Sequence, residues 1–184
     1  MTPEELGRIR RGLPFLLDQL AVFQDLEFSN GVIEVELAGA PEPGAGEGAR
    51  GFVGIVFLMQ GKNTYDTFYL RATNARADDQ QRRNHTLQYM SYPDWPRPRL
   101  RKETPGKYEA YVDLVPGEWT KIRIEVHGDR ARLYVHENPQ PTLIVNDVKS
   151  GTHAKGAVAL WLGPETIAHF RHLTVKLASS ENKD

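Results

Sequence analysis

The chain has 184 residues and a formal net charge of -1. That length fits one domain with a proper core, and the balanced charge gives no general attraction to nucleic acid or to a membrane surface. The absence of cysteine excludes disulfides and thiolate metal sites, and no apolar run approaches the roughly 20 residues that span a bilayer.

Residues 3–11 predict one or two helical turns, with Thr2 as the cap, Pro3 in the first helical position and Glu4 and Glu5 in the first turn. Gly12 and Pro14 end them. The next apolar patch is short and is interrupted by Asp18 and Gln19, unlike a secretory leader. The chain therefore reads as cytoplasmic, a leader already removed being the alternative. Residues 15–28 are dense in apolar side chains without a clear period, and short strands and a helix both fit them. Asn30-Gly31 signals a turn. VIEVELAG then alternates, with Ile33, Val35 and Leu37 facing one way and Val32, Glu34 and Glu36 the other. APEPGAGEGARG has the composition of a surface loop. FVGIVFLM is a nearly continuous apolar run, as expected of a central strand covered on both faces.

Residues 65–89, YDTFYLRATNARADDQQRRNHTLQY, carry the most functional signal. They open as a strand whose two-residue period puts Tyr65, Thr67, Tyr69 and Arg71 on one face. A polar crossing follows, and a second strand returns through Leu87, Gln88, Tyr89 and Met90. Beyond it, Pro93, Pro96, Pro98 and Pro105 argue against a regular helix or central strand. A strand is expected again over residues 108–114. TKIRIEV and ARLYVH, joined at His127-Gly128-Asp129, form the clearest hairpin in the chain. TLIVND, GAVALWLG and AHFRHLTVKL are each of strand length, and His169 and His172 in the last are expected on opposite faces.

Short alternating strands with frequent turn signals, and no long amphipathic helix, predict an all-β sandwich or barrel. No repeat of fixed period supports a propeller or solenoid. The expected organisation is an N-terminal segment, 1–25, packed on one sandwich domain, 26–178, with a disordered tail, 179–184.

The phrases FSNGVIEVEL, GFVGIVF, NTYDTFYLR, LQY, PGEWTKIRIEVHGDRARLYV and GAVALWLG resemble the concanavalin A-like lectin/glucanase jelly rolls. More narrowly, they resemble the laminin-G-like group that includes 3-keto-disaccharide hydrolase-type domains. The resemblance implies two stacked antiparallel sheets, one of them concave and lined with polar and aromatic side chains that meet a sugar or a similar small ligand. It also permits a calcium ion in a loop, although no Asp-rich loop of fixed spacing supports one. The alternating Glu and Asp of family 16 glucanases are absent. Glu34 and Glu36 lack the intervening aspartate, so ordinary glucanase chemistry is not expected there.

Among candidate site residues, Tyr65, Tyr69 and Arg71 present aromatic faces and a guanidinium fork; the bland alternative is a solvated sheet face. Asn84 and His85 precede Gln88 and Tyr89, and His85 has the intrinsic pKa of an acid/base group. Asp66 is the carboxylate placed beside it, with Asp94, Glu109 and Asp113 also near in sequence. Arg82, Arg83, Arg97, Arg99, Arg101 and Lys102 form either an anion funnel or long stems over apolar surface. Trp95 is the candidate lid or stacking residue. The interleaving of these basic residues with aromatics raises single-stranded nucleic acid, which the sequence otherwise does not support. No phosphate-cradling loop, G-x-S-x-G or H-E-x-x-H is present, and no cofactor or metal is expected.

The expected function is a carbohydrate-binding or carbohydrate-active protein with a small-molecule or saccharide ligand. The alternatives are an enzyme of non-glucanase type using His85, and a non-catalytic interaction domain. The oligomeric state is not legible. On this reading Tyr69, Arg71, His85, Gln88, Tyr89 and Trp95 converge on one pocket, an idea that fails if Arg71 and Tyr89 lie on opposite faces of the sandwich.

Overall fold

The computed structural model describes residues 19–178; the helical turns expected over residues 3–11 and the tail lie outside them. The elements are β1 (Gln19–Phe28), β2 (Gly31–Pro41), β3 (Phe52–Gly61), β4 (Thr64–Arg71), a 3-10 turn (Ala72–Asn74) and α1 (Gln80–Asn84). There follow β5 (Leu87–Tyr92), α2 (Arg97–Glu103), β6 (Glu109–Ala110), β7 (Thr120–His127), β8 (Arg130–Val135), β9 (Leu143–Val145), β10 (Gly156–Leu162) and β11 (Thr166–Leu177). They form two antiparallel sheets, one in the order β1-β10-β3-β4-β5-β6 and the other β11-β2-β7-β8-β9. This is the predicted β-sandwich.

The core lies between the sheets. One wall is the alternating set Ile33, Val35, Leu37, Ile122, Ile124 and Val126, all nearly inaccessible. The other is Val53, Ile55, Phe57, Phe68, Leu70 and Leu87, which register places on one face of β3, β4 and β5. Gly39 identifies that face as the inner one, because a Cβ there would sit 2.7 Å from the Val53 side chain of the opposite sheet. Phe68 stacks on Phe57 at 5.7 Å and meets Tyr89 at 5.5 Å. Such aromatic pairs each add about 0.5–1.5 kcal/mol to the burial of their area.

Four expectations change. The ambiguous residues 15–28 contribute β1, an edge strand paired with β10, so the boundary drawn at residue 25 falls inside a strand. The strand expected over 108–114 shrinks to Glu109–Ala110, pairing only with Leu87 and Gln88. Beyond it, Asp113 is held instead by Arg76, at 2.9 and 2.8 Å, and its carbonyl by His136 Nε2 at 2.7 Å. The proline-rich stretch does contain a helix, α2, entered from Pro96. Pro98 sits in its first turn, where its missing N–H forfeits no helical bond. Finally, a bulge between Arg171 and Thr174, with His172 at φ 55, brings His172 onto Glu36 at 2.5 Å beside Arg171 at 2.7 Å. Strict alternation fails there because the bulge adds a residue.

Candidate functional site

β4 is buried on both faces, from Tyr65 to Arg71. The solvated outer face that was the bland reading of Tyr65, Tyr69 and Arg71 is therefore not what the fold builds. Register sets Phe52 opposite Arg71, Gly54 opposite Tyr69, Gln88 opposite Tyr69, and Glu109 opposite Gln88. These positions share the outer face of the six-stranded sheet. Gly54 makes the arrangement fit, since a Cβ there would lie 2.3 Å from the Phe68 carbonyl and 2.6 Å from the Tyr69 Cβ. Into that space fold Tyr69 and Trp161, their rings 4.8 Å apart, with Phe52 6.2 Å from Tyr69.

Arg71 is the hub. Its guanidinium donates to the His85 carbonyl at 2.6 Å, the Tyr69 hydroxyl at 2.7 Å and Gln88 Oε1 at 3.1 Å. It also lies 3.6 Å from Glu109 Oε1. Glu109 itself is buried and takes two further partners: Arg101 Nε at 2.9 Å and His85 Nδ1 at 2.8 Å. Asn74 Nδ2 donates to the same His85 carbonyl at 3.1 Å, so the crossing that looked merely polar is what seats His85. Within it, α1 is capped by Asp79, whose carboxylate accepts from Arg82 N at 2.6 Å.

Above this floor opens a cavity of about 370 Å³ lined by Arg50, Arg71, Arg82, His85, Arg97 and Arg101, with Phe52 on its wall. Arg50 comes from the β2–β3 loop, Arg82 and His85 from the β4–β5 crossing, Arg97 and Arg101 from α2. Burial holds the His85 imidazole below the usual histidine range, with Arg101 and Arg71 adding to that and Glu109 opposing it. The ring is therefore a neutral acceptor or base at neutral pH. Burial likewise raises the Tyr69 hydroxyl, which stays a neutral phenol as it accepts from Arg71.

Of the residues singled out from sequence, Tyr69, Arg71, His85, Gln88 and Arg101 come together here. Tyr65 lies on the same face of β4 but packs against Tyr92, the rings tilted and 5.4 Å apart. Asn84 is exposed and accepts from Gln80 at 2.8 Å within α1. Asp66 and Tyr89 occupy the inner face, fully buried and hydrogen-bonded to each other. Of the six residues expected in one pocket, Tyr89 on the inner face of the sheet and Trp95 in another cluster therefore do not join the other four. Burial pushes the Asp66 carboxyl up against hydrogen bonds from Ser150, Tyr89 and Ser91. The carboxylate beside His85 is Glu109 instead. Trp95 belongs to a different cluster, with Arg99 3.8 Å and Lys149 4.3 Å from its ring centre. Arg50, Arg82 and Arg97 complete the cavity. The basic composition of the crossing and of α2 signalled two of them, whereas nothing local signalled Arg50.

No protein-family model matches the chain, and no curated protein does. Solved structures do. The carbohydrate-binding module CBM66 from Bacillus subtilis is similar at 14% identity and TM-score 0.57, over 86% of this chain and 81% of that one. A Parabacteroides distasonis protein assigned as a glycosyl hydrolase matches at 12% identity and TM-score 0.57, over 88% and 84%. Chicken galectin 2 matches at 14% identity and TM-score 0.55, over 85% and 100%. At these identities the likeness is one of fold, and it supports the concanavalin A-like sandwich expected from the sequence.

Proposed function

We propose that this chain binds a saccharide or a similar polyhydroxylated ligand in the cavity above Arg71. The observation that carries the reading is the preorganised floor: Arg71, Tyr69, Gln88, His85 and Glu109 are tied to one another before any ligand arrives. The side chains this floor holds at the cavity wall, His85 and Arg101, lose little entropy on binding, and Phe52 adds an apolar wall of the kind that a sugar ring's C–H face packs against. Support also comes from the company the fold keeps, a carbohydrate-binding module and a galectin. The narrower laminin-G-like kinship remains part of the proposal and rests on the strand phrasing.

Binding is favoured over hydrolysis by the carboxylates. Glycoside hydrolysis ordinarily needs two of them flanking the bond. Here Asp79 caps a helix and Glu109 is buried under Arg101 and Arg71. One observation supports an enzyme as a second reading, the 2.8 Å contact between His85 and Glu109 at the cavity wall, an imidazole with an orienting carboxylate. Titration calorimetry against a saccharide panel tests the first reading. Gly48 lines the cavity, and a Cβ there meets nothing within 4 Å. Gly48→Phe should therefore keep the melting temperature and abolish binding, whereas unchanged binding would move the site elsewhere. For the second reading, His85→Ala should lower turnover roughly 10²–10⁴-fold with affinity retained.

A further inference from the structure

We propose that the ligand is an acidic saccharide, whose carboxylate or sulfate ester is held by Arg82 and Arg97 beside Arg50. This rests on the saccharide reading and adds the charge of what is bound. Among the described residues the cavity wall carries Arg50, Arg71, Arg82, Arg97 and Arg101 against one lining carboxylate, Asp79. Arg71 and Arg101 are compensated by the buried Glu109 at 3.6 and 2.5 Å. Arg82 and Arg97 have no such carboxylate on the guanidinium among the described residues, and Arg50 has the weaker pull of the nearby Glu47. Among the described residues the Arg82 guanidinium donates to neutral oxygens, Asn74 Oδ1 at 3.0 Å and Thr73 Oγ1 at 3.2 Å, while Asp79 takes its backbone N–H. Arg50 donates to the carbonyls of Glu47 and Ala49. The half-buried Arg97 has no side-chain hydrogen bond or ion pair among the described residues.

Positive charges gathered around one cavity repel each other. Burial and the neighbouring Arg82 charge hold the Arg50 guanidinium below its ordinary range, against the opposing pull of Glu47. A neutral sugar would leave that repulsion in place. An oxyanion relieves it and accepts the planar two-donor fork that guanidinium offers and lysine does not. The fixed groups around it sort the roles. The neutral imidazole of His85 and the cationic but compensated Arg101 face hydroxyls, while the anion sits toward α1 and the start of α2. Uronate carboxylates and sulfate esters share this chemistry, and both are carried on sugar rings.

The test is calorimetry with the full chain against galactotriose, trigalacturonate and sulfated galactotriose, extended to a panel of neutral, uronate and sulfated oligosaccharides. At least one acidic member should bind ten times or more tightly than its neutral counterpart. Its affinity should fall as sodium chloride rises from 50 to 500 mM. Arg97→Ala should weaken it about tenfold or more at unchanged melting temperature; Arg82→Ala should weaken it as much, with some loss of stability because the buried Asn74 Oδ1 loses its donor; Arg132→Ala, on the other sheet, should do neither. The preferred member of the panel separates carboxylate from sulfate. Neutral sugars binding as tightly as acidic ones, or affinity indifferent to salt and to Arg97→Ala, would overturn the inference and leave saccharide binding standing. If no saccharide of either kind binds, the underlying reading fails instead. Stabilisation by inorganic sulfate, with no acidic saccharide binding more tightly than its neutral counterpart, would also defeat the acidic-saccharide assignment.

Discussion

Arg71→Ala should be a stability mutation before it is a binding mutation. In the sequence Arg71 reads as a guanidinium fork presented to a ligand. In the fold the side chain is only 2% exposed, and its donors are already spent on Tyr69, His85 and Gln88. Truncation strands a buried hydroxyl, amide oxygen and carbonyl, and removes one of the cations around Glu109. Deleting one member of a buried ion pair costs about 3–5 kcal/mol. Arg101 and His85 remain beside Glu109, so the lost acceptors rather than a bare carboxylate dominate; each unsatisfied acceptor costs about 1–3 kcal/mol. A total near 3–5 kcal/mol would lower the melting temperature by roughly 6–20 °C for a chain of this size. Thermal and urea unfolding, followed by circular dichroism, read this directly. A loss below about 2 °C would show that the network contributes nothing to folding, and the preorganised floor would go with it.

Gly54→Ala should destabilise by about 1–3 kcal/mol or more in urea unfolding, because its methyl would meet the Phe68 carbonyl at 2.3 Å and rigid backbone cannot give way. Asp147 feels burial, which raises its pKa, but hydrogen bonds from Lys107, Tyr108 and Lys149 win and bring it to about 2. Its folded pKa is below the unfolded 3.8, so its stabilisation is present above pH 4 and drains away between about pH 4 and pH 2; Asp147→Asn should flatten that limb of the stability curve. His85 should titrate below 6.5 by NMR. Its depressed folded pKa means that stability is complete above pH 6.5 and falls below it as the unfolded chain takes up the proton first; His85→Asn should remove that loss.

The fold was legible because its strands announce themselves by period. VIEVEL and KIRIEV alternate and became β2 and β7, with Ile33, Val35, Ile122 and Ile124 inward. Where tertiary partners decide, the sequence was mute. β1 is a strand because β10 offers an edge to Leu20–Phe23, and no local pattern encodes that edge. The site was half legible for the same reason. The two-residue period correctly grouped Tyr69 with Arg71, but the same period separates Gln88 from Tyr89, and treating them as one site ignored it. Glu109 was in view as a neighbouring carboxylate. Its selection over Asp66 depends on β6 pairing with β5, a contact that a two-residue strand cannot advertise.

The ionic floor is also an argument about what the fold is for. Burying Arg71 and Glu109 costs desolvation that an aliphatic pair of similar volume would avoid, and such replacements are often neutral or stabilising. The core wall of the five-stranded sheet shows that the chain can pack without charges, since Ile33, Val35, Ile122, Ile124, Leu133 and Val135 close it with aliphatic side chains alone. The charges at the end of β4 are therefore poorly explained by stability. They are well explained by position. Arg71 fixes the His85 carbonyl and Gln88, while Glu109 fixes the His85 ring and Arg101, so two residues that line the cavity inherit their orientation from two that scarcely reach solvent. Arg82 and Arg97 then stand around that frame with their charge unspent, which is the arrangement a site needs if its ligand brings the counter-charge.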